Sequence, residues 1–362
     1  MRVLFLLADN VYLTPYLQYY TNILRKMNIK YKIFFWDKNN NENINDKHYI
    51  RFTYNTERKI KKIYGYYKFR KSILKLIKKE NFDIIVPLHP IVSFILANVL
   101  VNEYRKRYVY DIRDYSYEKY FWYRLTEKKL ARNSMINIIS SKGYKNFLPE
   151  EEYFVTHNIP NISQNELDKH KQLNNPRGKI NISYIGLIRF MDQNKKVLNF
   201  FKNDERFHLN FIGTNAKQLQ NYCDKNDIRN VTLIDTFDSK DTLNYYDNTD
   251  VIMNLYGNHT PLLDYALSNK LYYSACLYKP ILVCEDTYME LVSKKYEIGY
   301  SLPMKSTKEK EKLYEWLINM NRKKFIVQCD VFMKDVYKEE EKLNKEIQKR
   351  ILCMKKKGDK YD

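Results

Sequence analysis

One pattern runs through most of the chain: a short, almost wholly apolar run followed by a longer stretch of helical periodicity. Residues 3–8 (VLFLLA) open it, and residues 14–27 then place Leu17, Tyr20, Leu24 and Met27 on one helical face. Residues 31–36, 83–88 and 108–112 supply three more apolar runs. Strands that are apolar on both faces need cover on both faces, which is the situation of a parallel sheet flanked by helices. Ligands of such sheets bind beyond the carboxyl ends of the strands. Residues 162–179 are polar, lack a sustained apolar period and read as a linker. The alternation then restarts at 180–185, 207–212, 231–234, 251–255 and 280–284. The predicted architecture is α/β, with two tandem doubly wound, Rossmann-like domains facing a cleft. They span residues 1–161 and 180–330, and a helix at 331–362 packs back toward the first domain. Residues 354–362 are expected to fray.

Charge and composition narrow the function. The formal net charge of +20 favours an anionic partner: a nucleotide, a nucleic acid or an acidic membrane surface. Only 8 glycines stand against 34 tyrosines, which argues against repeated Gly-rich loops. No GxGxxG follows the first strand, and GxxxxGK[ST], GxSxG and HExxH are all absent, so dehydrogenase, P-loop, serine-hydrolase and zinc-protease readings lose their support. Five cysteines, odd in number and without CxxC, suggest neither a disulfide framework nor a zinc site. With six scattered histidines, no metal and no cofactor is expected. The apolar start is too short for a secretory leader, and Asp9 ends it at once. Residues 84–102 are broken by Pro87, His89 and Pro90 into a strand and a short helix rather than a membrane span. A cytoplasmic location is expected.

Residues 51–80 carry eleven Lys/Arg against two Glu, with aromatics interleaved. Two readings stay open: a solvated helix face, or adsorption to an anionic membrane at about 1 kcal/mol per basic residue. The second would make the protein peripheral at the inner face of the plasma membrane. Nucleic acid is not an expected partner, since no RNP, helix-turn-helix or zinc-finger pattern accompanies the charge.

The second half carries the chemistry. Gly186 follows the strand at 180–185, where a missing side chain lets a diphosphate approach the backbone. Arg189 comes next, with Lys195 and Lys196 one or two turns on. Such cations can neutralise a departing diphosphate; the two lysines equally suit a solvated basic turn. Gly213 after residues 207–212 repeats the arrangement, or is an ordinary turn glycine. Residues 257–261 form a polar loop containing His259 and Thr260. Ser268-Asn269-Lys270 then opens an apolar helix, giving free backbone N–H groups and a cation at a helix N-terminus. That is an anion site, or a plain N-cap with a solvated lysine.

The segment SNKLYYSACLYKPILVCED…ELV…YEIGYSL, from residue 268 onward, resembles the donor-binding signature of GT-B glycosyltransferases of the family-four-like group. Residues 110–118 (YDIRDYSYE) resemble the RDLWPE-type segment of bacterial surface-polysaccharide transferases. Residues 138–141 (IISS) and 156–160 (THNIP) resemble their approach to the interdomain linker. The likeness runs in order over most of the chain. It implies a hexosyltransferase moving sugar from a nucleotide-sugar, expected to be UDP-linked, with retention of configuration and no obligatory metal. The implied acceptor is a saccharide or polyprenyl-diphosphate-linked saccharide in capsule or exopolysaccharide biosynthesis. First-domain loops would bind that acceptor, with Asp114 as base or contact and His89 and Arg113 beside it. Asp114 equally suits an ion pair with Arg113 or a helix cap, and His89 a structural turn; His157 invites the same caution. By the resemblance Arg189 and Lys270, with Lys195, hold the leaving diphosphate, and Gly186, Gly213, His259, Thr260 and Asn269 shape the donor pocket. There is one departure. Two glutamates usual in the group fall on Tyr265 and Tyr273, leaving Asp264 or Glu285 as replacements. A nucleotide-sugar epimerase of the same fold and a basic membrane- or RNA-associated scaffold without activity are the alternatives.

Overall fold

In the computed structural model, which describes residues 1–55, 59–172, 175–176 and 178–358, the chain forms two compact units. Unit 1 is Met1–His157 with Lys338–Asp362, and unit 2 is Asn158–Tyr337. Parts of three stretches singled out in the sequence lie outside the described residues: 173, 174 and 177 of the polar stretch, 56–58 of the basic one, and 359–362 of the tail.

Unit 1 contains β1 (Arg2–Leu7), β2 (Lys30–Trp36), β3 (Tyr49–Phe52), β4 (Ile84–Pro87), β5 (Val109–Ile112), β6 (Ile136–Ile139) and β7 (Phe154–Val155). They pair in parallel in the orders β3-β2-β1-β4 and β5-β6-β7, and the Ile85–Tyr108 bridge joins the two sets. The helix Leu17–Lys26 buries Leu17, Tyr20, Ile23 and Leu24 against this sheet.

A second helix completes the same core from the far end of the sequence. Arg322–Gly358 is the longest helix, and its Leu343, Ile347 and Ile351, at i, i+4 and i+8, pack with Val3, Phe5, Val86, Val109 and Ile136. Each of the three is no more than 3% exposed, and burying such a side chain contributes about 1.5–3 kcal/mol. The first part of that helix sits in the unit 2 core through Phe325, Cys329, Phe332 and Val336.

Unit 2 has one parallel sheet of β8 (Ile180–Ile185), β9 (Phe207–Ile212), β10 (Val231–Ile234), β11 (Val251–Asn254), β12 (Ile281–Val283) and β13 (Gly299–Ser301). Its order is β10-β9-β8-β11-β12-β13. Winding runs outward from β8 in one direction and, after β10, outward from β11 in the other. The connections after β8 and β11 therefore leave the sheet on opposite faces, and a crevice opens at their carboxyl ends.

The strands missing from the sequence reading share a cause. β3 is half-exposed, β7 has two residues, β13 has three with a glycine, and β6 contains Asn137. Asn137 is tolerated there because its Nδ2 donates to the carbonyls of Ala131 and Glu152, at 3.1 and 3.2 Å. Inside the polar stretch, Gln164–Lys171 form a helix whose N-cap Ser163 accepts from Glu166 N. Residues 354–358 continue the last helix.

The packing of the last helix is directly testable. Ile347→Ala should lower unfolding stability by about 2–5 kcal/mol through a cavity in the unit 1 core. Leu352→Ala, at a position 49% exposed, should stay within about 0.5 kcal/mol. Urea unfolding of both variants checks the contrast.

Candidate functional site

The loops after β8 and β11 meet at the crevice of unit 2. Gly186, the first residue past β8, has φ +119, and Gly213, the first past β9, has φ +132. A Cβ on Gly213 would run into the Gly186 carbonyl oxygen, so glycine there is required by close approach of two backbones. The loop after β8 is curled by Tyr184, whose hydroxyl donates to Leu187 O at 3.0 Å and accepts from Arg189 N at 3.3 Å. Tyr256, just past β11, lies against Tyr184 at 5.2 Å and against Phe190 at 5.5 Å between ring centroids. Phe190 and His259 both have left-handed backbones, a conformation that bulky residues hold only where their surroundings enforce it.

Lys270 enters this crevice from the first turn of the helix Asn269–Cys276, which Ser268 caps by accepting from Lys270 N. The side chain is held by rings rather than by a carboxylate. Its Nζ is 4.6 Å from the Tyr184 centroid and 5.6 Å from that of Tyr256. A Cβ placed on Gly186 would lie 3.7 Å from the same nitrogen. Lys270 is only 8% exposed, and burial, with a contribution from the charge of Arg189, pushes its ammonium down to about 8. Among the described residues neither Lys270 nor Arg189 has an ion pair. Two neighbouring cations without an anion, one of them desolvated, make a site suited to a multiply charged anion.

The remaining donor-side residues divide. Asn269 is exposed at the helix start, and His259 and Thr260 are exposed on the loop after β11; the Thr260 carbonyl accepts from Leu263 N and Asp264 N. Asp264 has an Oδ1 that is buried without a hydrogen bond, whereas the Glu285 carboxylate is paired with Lys305 at 2.5 Å. Of the two replacement carboxylates, Asp264 is the one left unsatisfied. Tyr273 stacks on Tyr246 at 4.7 Å, and Tyr265 closes the short helix Pro261–Asp264. Lys195 is engaged elsewhere, pairing with Asp192 at 3.2 Å and lying over the Tyr222 ring, and Lys196 is exposed. Their contacts are those of a solvated helix face. Sequence reasoning missed Tyr184, Tyr256 and Asn254, the last 95% buried with an unpartnered Oδ1 at the end of β11.

In unit 1 the winding reverses between β1 and β4. There Tyr16 donates to Leu88 O at 2.7 Å, and buried Asn10 donates to Asp37 and Glu42. This fixes the loop that exposes Tyr12 and Leu13. His89 is the N-cap of the helix Pro90–Ile95: its Nδ1 accepts from Ile91 N. Burial, aided by Lys38, pushes the imidazole down to about 4, so it is neutral and able to accept at pH 7. Arg113 forms a two-point ion pair with buried Asp111, at 2.7 and 2.9 Å, and lies over the Tyr16 ring. Its charge is thus committed to Asp111, two residues back, while Asp114 is exposed just beyond β5. His157 contacts Glu339 at 3.0 Å.

One group among the described residues brings three potential metal ligands together: Glu166, His170 and Asp247. A lysine already serves its carboxylates, with Lys169 Nζ 2.7 Å from Asp247 and 3.8 Å from Glu166.

No protein-family model matches the chain, and no curated protein sequence does. Solved structures do. HepE from Anabaena, in complex with UDP and glucose, covers 96% of this chain and 100% of its own, at TM-score 0.68 and 12% identity. WaaG, a glycosyltransferase involved in lipopolysaccharide biosynthesis, covers 94% and 98%, at 0.61 and 14%. The chain has the GT-B fold. A putative UDP-N-acetylglucosamine 2-epimerase from Listeria monocytogenes also matches, at 0.59 and 10%, over 91% of each chain. No helix among the described residues is long and apolar enough to cross a membrane.

The state of Lys270 predicts a pH profile. Its folded value lies below the ordinary 10.5, so between about pH 8 and 10.5 an unfolded Lys270 binds more protons than the folded one, a contribution that raises stability with pH and opposes that of Cys276 and Cys284, whose thiols burial pushes up to about 12 and 11. Lys279, also pushed down to about 8 by burial, adds a contribution of the same sign as that of Lys270. Lys270→Met should remove the first contribution, so its urea midpoints should fall relative to wild type as the pH goes from 7.5 to 10.

Proposed function

We propose that this protein is a glycosyltransferase that takes a hexosyl group from a UDP-sugar and passes it to a saccharide or polyprenyl-diphosphate-linked acceptor in surface-polysaccharide synthesis. The observation that carries the reading is the uncompensated pair of cations, Lys270 and Arg189, beside the bare backbone of Gly186. Breaking the bond between sugar and diphosphate leaves negative charge on the departing phosphate oxygen, and a cation fixed in a poorly hydrated pocket, as Lys270 is, stabilises that charge without reorganising; Arg189 is exposed beside it. Aromatic walls from Tyr184 and Tyr256 hold Lys270 in place without neutralising it. The exposed amide at Asn269 and the helix dipole act in the same direction. Asp264, with its unsatisfied oxygen, takes the donor contact that glutamates supply in the resembled group. These protein cations give the positive charge that a divalent ion would otherwise bring. On the acceptor side the proposal assigns Asp114 as the group that meets the incoming hydroxyl. The likeness to HepE, whose complexes contain UDP, glucose and UDP-glucose, supports the choice of donor, and retention of configuration rests on the sequence resemblance.

UDP release from a UDP-sugar panel with a lipid-linked saccharide acceptor tests this. Lys270→Ala and Arg189→Ala should each lower kcat/KM by about 10²–10³, and rates near wild type in both would remove the proposed roles. Asp264→Ala should raise the donor KM, whereas Glu285→Ala should leave it near wild type. Donor turnover without any acceptor would instead favour the epimerase reading. UDP at about 100 times its Kd should add about 2.7 kcal/mol of stability; no stabilisation by any nucleotide would point to a scaffold.

A further inference from the structure

The helix Phe121–Asn133 of unit 1 presents two very different faces. Tyr123, Glu127, Leu130 and Ala131 are buried. The opposite face exposes Phe121 at 73%, Trp122 at 53% and Leu125 at 47%, together with Arg124, Lys128, Lys129 and Arg132. The spacing is ordered. Phe121 and Leu125 form one i, i+4 row, and Arg124, Lys128 and Arg132 form the row beside it, three positions on. The helix has a single acid, Glu127, and that residue is turned inward. Nearby acids are few: Glu151 pairs with Arg132 at 3.2 Å, and Glu150 is exposed on the adjoining loop.

The two rows border a cavity of about 430 Å³, bounded on its other side by Phe147, Leu148, Pro149 and Glu150. Glu127 also lines it, with Oε1 bonded to the Tyr110 hydroxyl at 3.3 Å and Oε2 buried without a hydrogen bond. Burial, reinforced by Glu118, pushes this carboxyl up to about 8. It is therefore protonated at neutral pH, and it adds a donor to the surrounding cations instead of a negative charge. Beside the cavity Trp122 stacks on Tyr120 at 5.2 Å, and Tyr117 and Tyr120 are themselves about 40% exposed.

We propose that this face is a membrane-docking surface, with Phe121, Trp122 and Leu125 entering the interfacial layer of an anionic phospholipid bilayer and the cavity taking a lipid headgroup phosphate. Exposed aromatics flanked by cations match that interface on both counts, since Trp and Tyr favour the headgroup level and each basic residue adds attraction to anionic lipid. The net charge of +20 acts in the same direction. The proposal differs from membrane adsorption by residues 51–80 alone. There Tyr64 and Tyr67 stack on each other and Lys68 lies over the rings of Tyr54 and Tyr64. It deepens the reading of a lipid-linked acceptor, but binding to vesicles is measured without sugar, donor or turnover, so either idea can fail alone.

Co-sedimentation of the full chain with phosphatidylglycerol vesicles, phosphatidylcholine vesicles and no lipid tests it. Binding is expected with the anionic vesicles only. The double variants Phe121→Ser/Trp122→Ser and Arg124→Glu/Lys128→Glu should each weaken it at least tenfold, while Ile63→Ser/Tyr67→Ser retains at least half of it. All the altered side chains are exposed, and unchanged urea midpoints would show the fold intact. Trp122→Phe should keep binding but lose the blue shift of tryptophan emission that vesicles induce. Equal binding to both lipids, no binding at all, or loss confined to the residue 63 and 67 variant would overturn the proposal.

Discussion

A buried ammonium group without a counter-anion organises unit 2. Removing a charge from water costs several kcal/mol unless something answers it, and among the described residues Lys270 is answered by the faces of two tyrosines and by no ion pair. Each of those rings has a further task. Tyr184 fastens the loop after β8 through its hydroxyl, and Tyr256 fills the space beside Phe190. The cation is thus stabilised only as far as is needed to keep it folded inward, and its full demand for negative charge is left for a ligand. The drop of its pKa to about 8 is another expression of that deficit.

Sheet order determines why these groups meet. Tyr184 and Lys270 are far apart in sequence, but β8 and β11 are neighbours, and the helix bearing Lys270 connects β11 to β12. A doubly wound sheet must have a point where winding reverses, and the glycines that allow close approach lie beside it. In unit 1 the corresponding reversal is occupied by a dense polar network, Asn10 with Asp37 and Glu42. The two reversals therefore differ: at one, carboxylates are answered by Lys38 and Arg51, whereas among the described residues Lys270 and Arg189 at the other have no ion pair.

Much of this was legible in the residues. Largely apolar runs identified nine of the strands; β3, β6 and β13 are short and broken by Arg51, Asn137 and Gly299, and β7 is only two residues long. Gly186, Arg189 and Lys270 were readable from their places just past a strand and at a helix start. What spacing could not supply was the partner of each charge. Lys195 and Lys270 look alike in sequence, yet one pairs with Asp192 and the other is enclosed by rings. Arg113 likewise pairs with Asp111, a strand-borne acid buried beside Tyr20 that spacing did not single out. The exposed aromatics of residues 121–125 went unnoticed because helical periodicity alone does not say which apolar face lacks cover.

The split course of the chain has a consequence for biosynthesis. Unit 2 is one continuous stretch, whereas the unit 1 core is filled by Leu343, Ile347 and Ile351. At translation rates of roughly 5–20 residues per second, the ribosome needs on the order of ten to forty seconds to travel from the end of β7 to those residues. For that interval the nascent first lobe has an open apolar seam on its sheet, while the lobe encoded later is free to mature first. The order of emergence and the order of completion are thus inverted, and the nascent seam is where a chaperone has most to protect.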